Sequence, residues 1–124
     1  MPDRKIINMT PYEVELFSPI SMKRVRIPSS GQIGGCVSRS DYPENFTGDI
    51  PHYDTWSLRA LGVPERLEAD AVYIVTGGAA AALREAGYDM SRFRLVNNAV
   101  FHAVPDGSSG ERRFIEGNGL ARIA

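Results

Sequence analysis

The chain has 124 residues, 43% of them hydrophobic and 23% charged, with a formal net charge of -1. That length fits one compact domain over residues 1–124 and excludes neither an enzyme nor a binding module, while the composition excludes a disordered tail. The near-neutral balance argues against a broad nucleic-acid-binding face. A single cysteine, Cys36, cannot close an internal disulfide, and no Cys/His cluster has metal-ligand spacing. No metal or cofactor is therefore expected, and a reducing cytoplasm is the simplest location. The charged start leads straight into a strand pattern, with no room for a signal peptide. No apolar run is long enough to cross a bilayer.

Residues 5–8 form a short β-like run, ended by the Thr10-Pro11 pair, which favours an extended or turning backbone. Residues 13–17 and 23–27 both alternate, with Val14 and Leu16 on one face of the first and Val25 and Ile27 on one face of the second. Together they predict an antiparallel hairpin. Direct pairing of Phe17 with Lys23 would mix the two faces; a shift of one residue either way matches apolar with apolar. It also sets Glu13 and Glu15 beside Arg24 and Arg26 on a solvated face. Pro28-Ser-Ser-Gly31 is a turn signal. Residues 32–39 read as a strand in which Gly34-Gly35 marks a bulge or a close backbone approach. Cys36, in that strand, reads as a small buried thiol, because nothing local would activate it.

Residues 40–55 are the longest irregular stretch, rich in Pro, Gly and aromatic groups. Two readings compete: a loop that folds over a ligand or partner, and an ordinary cover packed on the sheet. Residues 56–61 form another strand. The organising stretch is 71–87: a buried strand over 71–75, a Thr76-Gly77-Gly78 turn, then a short Ala-rich helix. Ala79, Ala82, Leu83 and Ala86 fall on one stripe at helical spacing. Thr76 is the N-cap and Gly87 the stop. So many alanines require a helix lying close to what it covers. Strands over 93–96, 100–104 and 112–116 follow, with Asn97-Asn98 as a turn. The expected class is α+β: mainly antiparallel sheet of seven or eight short strands with one short helix.

The first turn of that helix offers unpaired amides and a positive dipole end, with glycines that admit close approach. It is neither a Walker loop nor a dinucleotide fingerprint, and tight helix–sheet packing is the competing explanation of its glycines. His102 reads as a surface or satisfied strand residue. His52 sits beside Tyr53 and Asp54, a trio able to move protons. No nucleophile elbow, paired-carboxylate signature or metalloprotease motif is present, so no catalytic residue is assigned and the balance leans away from an enzyme. Arg92, Arg94, Arg112 and Arg113 are cations that could gather near one edge and hold phosphate bidentately.

Residues 7–14 (Ile-Asn-Met-Thr-Pro-Tyr-Glu-Val), 27–31 (Ile-Pro-Ser-Ser-Gly) and 72–76 (Val-Tyr-Ile-Val-Thr) before an Ala/Leu helix occur in one order. In this the chain resembles small, largely uncharacterised proteins of phages, prophages and bacteria. Those read Asn-x-Thr-Pro-His, Ile-Pro-Pro-Ser-Gly and Tyr-Ile-Val-Ser. Here Tyr12 replaces that His, Thr76 that Ser, and Gly34-Gly35 an Ala-Arg pair, so roles resting on the His or Arg stay open. The resemblance implies a phage accessory protein in an anti-defence role.

The resulting expectation is a non-enzymatic protein that captures a small anionic ligand, with a nucleotide immune signal as one such ligand. Its binding residues would be Thr76, Gly77, Gly78, Tyr53, Arg39 and Arg94, in a single chain or at the interface of a homo-oligomer. The alternatives are a protein-interaction module that inhibits a host protein and a small nucleotide-acting enzyme.

Overall fold

A computed structural model describes residues 5–39, 43–52, 56–107 and 110–123. Among these are twelve strands, one α-helix and one 3-10 turn. The strands are β1 (Lys5–Asn8), β2 (Glu13–Ser18), β3 (Lys23–Ile27), β4 (Gly34–Arg39), β5 (Asn45–Thr47), β6 (Ile50–His52), β7 (Trp56–Leu61), β8 (Ala71–Ile74), β9 (Phe93–Val96), β10 (Val100–Pro105), β11 (Glu111–Gly117) and β12 (Leu120–Arg122); the helix is α1 (Gly77–Glu85).

One four-stranded sheet has the order β1-β8-β9-β12, and a second has the order β10-β11-β2-β3. β4 pairs with β7 and β5 with β6 as separate ribbons. The α+β class stands, but the sheets are mixed rather than mainly antiparallel. β1 with β8, β8 with β9, and β11 with β2 all run parallel. For β8 and β9 the reason is the helix: a chain that leaves β8, crosses through α1 and returns beside β8 must return parallel; the other two pairs join distant segments, whereas hairpin signals reveal only local antiparallel pairs.

β8 is buried at all four positions, as a parallel strand covered on both faces should be. On one face Ala71, Tyr73 and Val75 join Phe93 and the helix residues Ala79, Ala80 and Leu83 in a cluster that also takes Met9 and Ile33. On the other, Ile74 packs with Val14 and Leu16, flanked by Ile27, Val96 and Ile115. The first sheet is therefore a middle layer, with α1 on one side and the second sheet on the other.

α1 begins as the sequence requires: the Thr76 hydroxyl accepts from the Ala79 amide at 3.2 Å. It ends in a Schellman arrangement, with Gly87 at φ +86, its amide on Arg84 O and the Tyr88 amide on Leu83 O. The buried stripe is Ala79, Ala80, Ala82 and Leu83 rather than one that includes Ala86. Ala80 is added because the helix is covered from two directions. The close approach expected at Gly34-Gly35 is real: a Cβ on Gly35 would stand 2.5 Å from Gly78 O and 2.9 Å from Gly78 C.

The motifs at 8–12 and 27–31 meet and tie the two sheets together. Asn8 is fully buried. Its amide donates to Tyr12 O at 2.8 Å and Ile27 O at 3.0 Å, while its carbonyl accepts from the Thr10 amide at 3.0 Å and the Thr10 hydroxyl at 2.7 Å. All four hydrogen-bonding positions of the side chain are filled. The Ser29 hydroxyl donates to Thr10 O at 2.6 Å, and the Ser30 amide to Asn8 O at 2.8 Å.

The β2–β3 register is one of the two shifts that parity allowed, with Leu16 opposite Val25 and Glu15 opposite Arg26. The ionic pattern differs from the expected solvated face, because β11 lies against β2 and brings its own arginine. Glu15 is buried. Arg112 holds it at 3.1 Å and Glu13 at 2.5 Å, and Arg24 lies 3.6 Å from Glu15 and 2.6 Å from Glu116. Part of the stretch read as irregular is the β5–β6 hairpin, turned at Gly48 with φ +59. Its described residues are all exposed, so the hairpin is not a packed cover.

Candidate functional site

The three-layer packing fills both faces of β8 and leaves openings at its two ends. At the carboxyl ends of β8 and β9 lies a cleft of about 390 Å³, walled by Tyr12, Thr76, Gly77, Leu95, Phe101 and Ile115. Tyr12 comes from the link between β1 and β2, and Phe101 from β10. Their rings stand 4.9 Å apart, tilted by 58°. Glu111, and beyond it the Tyr12 hydroxyl, hold the Arg113 guanidinium firmly charged, so a cation stands beside Tyr12.

The start of α1 borders this cleft. Neither Gly77 nor Gly78 has a positive φ, and a Cβ built on either meets nothing within 4 Å among the described residues. Among the described residues no contact of its own calls for glycine at either position, although the backbone of Gly78 is approached closely from the side of Gly35. What the two glycines do is leave the first amides of the helix bare at the rim of an aromatic cleft.

At the amino ends of the same strands lies a second cleft, of about 420 Å³, walled by Ala71, Met90, Arg92, Arg94, Arg122 and Ile123. Arg92 donates through Nε to Ala71 O at 3.1 Å and through Nη2 to Glu68 O. Arg94 donates through Nη1 to Ser91 O at 2.6 Å and Phe93 O at 2.9 Å. Asp89 caps this turn by accepting the Ser91 amide at 3.1 Å. That bond, with a smaller contribution from Arg92, holds its carboxyl below the usual range.

The expected composite site is thus divided. Thr76 and Gly77 line the first cleft, Gly78 lies one residue further into the helix, and Arg94 lines the second. Tyr53 falls outside the described residues, and of Arg39 only the backbone is described, in β4. The Cys36 side chain likewise lies outside them. Arg92 and Arg94 do gather, but Arg112 and Arg113 are spent on carboxylates of the second sheet: Arg113 binds Glu111 at 2.6 Å. Phe101 and Arg122 were not singled out from sequence, and Tyr12 was noted only as the residue that replaces a His. Only the strand pairing brings them in, although the alternation of 100–104 was the signal that Phe101 must choose a face.

The two histidines lie apart, in β6 and in β10. His52 is exposed and shares a 2.8 Å contact with Thr47 Oγ1 in the β5–β6 ribbon, while Tyr53 and Asp54 lie outside the described residues. His102 is a part-exposed residue of β10: it stacks on Phe114 at 4.8 Å, and its Nε2, 3.8 Å from Glu116 Oε1, has no hydrogen-bond partner among the described residues. Phe114 carries Arg112 against its ring at 4.1 Å. Among the described residues no group of three His, Cys, Asp or Glu could hold a metal, and no helix is long and apolar enough to cross a membrane. Comparison with protein-family models, with curated proteins and with solved structures gives no match.

Proposed function

We propose that the chain is a non-enzymatic binding protein of phage type whose ligand is a small anion with a planar body, a nucleotide-type signal being the class it suits. The observation that carries this reading is the glycine pair at the start of α1, bare without conformational or packing cause. The ligand's ring packs against the Tyr12–Phe101 pair, and its anionic end meets the Gly77 and Gly78 amides, where the helix dipole adds to their hydrogen bonds. The cleft has the size of small-molecule sites and the make-up common to them, mostly apolar with a few convergent polar groups. Among the described residues no arginine lines it, and Arg113 reaches it through Tyr12. That favours a ligand bearing a single charge at the helix start over a polyphosphate. Sequestration from a cellular signalling pool, the anti-defence role implied by the resemblance, then requires tight capture and no turnover.

The test is to purify the protein from cells, denature it, and identify released small molecules by mass spectrometry, with calorimetry against cyclic and ADP-ribose-type nucleotides. Gly77→Val and Phe101→Ala should each weaken binding at least about tenfold in folded protein. Binding that survives both in folded variants sinks the placement, and conversion of the nucleotide to product sinks the non-enzymatic reading.

A further inference from the structure

The second sheet ends at β3, whose outer side pairs with no strand among the described residues. An edge strand turns a row of unpaired N–H and C=O groups outward, open to any extended chain that suits its side chains. The Ile27 carbonyl is taken by Asn8, so the open stretch is residues 23–26. Every residue there is exposed. Three of the four are cations, and they are not equally answered. Arg24 lies 2.6 Å from Glu116 and 3.6 Å from Glu15. Arg26 stands directly opposite Glu15 in the register, yet the Glu15 carboxylate is held by Arg112 and Arg24. Arg26 and Lys23 make no ion pair among the described residues. Val25, between the two arginines, shares the other face with Leu16 and is still 46% exposed.

We infer that the free edge of β3 takes an acidic, extended segment of a partner protein as one more strand of this sheet. The occupied edge shows what β3 accepts. β2 pairs with it through Glu15 opposite Arg26, Leu16 opposite Val25 and Val14 opposite Ile27, an alternation of acidic and apolar residues. The same alternation on the open side puts carboxylates beside Arg24 and Arg26 and an apolar side chain on Val25, while the main chain supplies the hydrogen bonds. A second copy of β3 does not suit this edge. Two such strands paired antiparallel about Val25 oppose Arg24 to Arg26 on both sides of it, and like charges directly opposed are destabilising. The cations thus close the edge to self-pairing and leave it open to acidic chains.

The experiment uses the full chain and a capped peptide, Thr-Glu-Val-Glu-Val-Glu-Thr, titrated by calorimetry at about 0.15 M ionic strength. A control peptide, Thr-Glu-Glu-Glu-Val-Val-Thr, keeps the charge and composition and breaks the alternation. The expected result is saturable binding of the first with a Kd below about 1 mM, and binding of the control at least about tenfold weaker. Hydrogen exchange should slow within residues 23–26 when the first peptide binds. Arg26→Gln should raise its Kd about threefold and Arg26→Glu at least about tenfold. Arg84→Glu, at an exposed position on α1, should leave it unchanged. Melting curves show which variants are folded, and Arg26→Gln carries the test if Arg26→Glu is not. No binding below about 1 mM, a control peptide that binds as tightly, or binding without slowed exchange overturns the inference, and the charges then only protect the edge. Equal weakening by the variants at Arg26 and Arg84 overturns it as diffuse attraction. A wild-type dimer in sedimentation that the peptide splits makes a second copy the occupant and overturns the acidic partner. No residue of β3 lines the aromatic cleft, so this surface and the proposed function can fail separately.

Discussion

Gly35→Ala puts the packing of α1 to the sharpest test. The added methyl would stand 2.5 Å from Gly78 O and 2.9 Å from Gly78 C, and both atoms belong to the backbone of the first helical turn. Neither can swing aside as a side chain would. Restoring ordinary contact at 3.4 Å needs about 0.9 Å of separation between β4 and the helix start. Overpacking of this kind typically costs about 1–3 kcal/mol. With an unfolding entropy of about 2.1 cal/mol/K per residue, 1 kcal/mol shifts the melting point of a chain this long by about 4 °C. Gly35→Ala should therefore lower Tm by about 4–12 °C. Gly78→Ala makes the opposite case on the other side of the same contact. Its methyl meets nothing within 4 Å, and its φ is not positive. Helix propensity then favours alanine by up to about 1 kcal/mol, less at the second position of a helix, so Tm should hold or rise by a few degrees. Calorimetric melts of both variants, with urea transitions to check that the slope is unchanged, decide the matter. A Gly35→Ala variant that melts within about 1 °C of the wild type, or a Gly78→Ala variant that falls as far as Gly35→Ala, refutes the contact.

Two further expectations come from the polar groups. Asn8→Ala removes a donor from Tyr12 O, which keeps only the Thr10 hydroxyl, and one from Ile27 O, and takes from the buried Thr10 amide its acceptor. It should cost about 2–4 kcal/mol, read from urea midpoints. Acid stability follows from two depressed carboxyls: Glu116, lowered first by its hydrogen bond from Arg24, and Asp89, lowered first by the Ser91 amide. A depressed folded pKa contributes stability that is fully present above the ordinary values of 4.5 and 3.8 and is lost as pH falls through the folded values. Tm should hold above about pH 5 and decline below it, and Glu116→Gln should make that decline shallower. An unchanged acid profile in Glu116→Gln would show that the Arg24 pair contributes nothing.

Much of the fold was legible because local chemistry marks it. Alternation revealed β2 and β3 and narrowed their register to two choices; Thr76 and Gly87 marked the ends of α1; the glycine pair at 34–35 announced a backbone contact. What alternation cannot carry is the partner of a strand from a distant segment. β11 beside β2 is such a pair, and it adds Arg112 to Arg24, one of the two arginines expected, as a partner of Glu15. The same limit divided the candidate site. Arg94 alternates with Phe93 and Leu95 in sequence, but which end of the sheet its guanidinium occupies is set by the Ser91 and Phe93 carbonyls that hold it. Tyr12 and Phe101 form a pair only because β10, β11 and β2 are neighbours.

The motifs that carry the resemblance are now assigned to structure. Asn8 and Thr10, with Ser29, join two sheets through buried hydrogen bonds. Residues 72–75 are core, and Thr76 caps the helix. A sequence that keeps them keeps the fold, and gains from them no chemistry. Under the proposed function, specificity lies in positions that the fold tolerates changing, Tyr12 and Phe101 at the carboxyl end of β8. Because β8 is covered on both faces, a ligand can reach the centre of this molecule only past its ends. The carboxyl end offers bare amides and aromatic rings, the amino end guanidinium groups. The two openings therefore differ in the charge they can answer. Under the proposed function a ligand with one charge and a flat body is directed to the first, and exchanging Tyr12 for a cation would change the charge which that opening answers before it disturbed the fold.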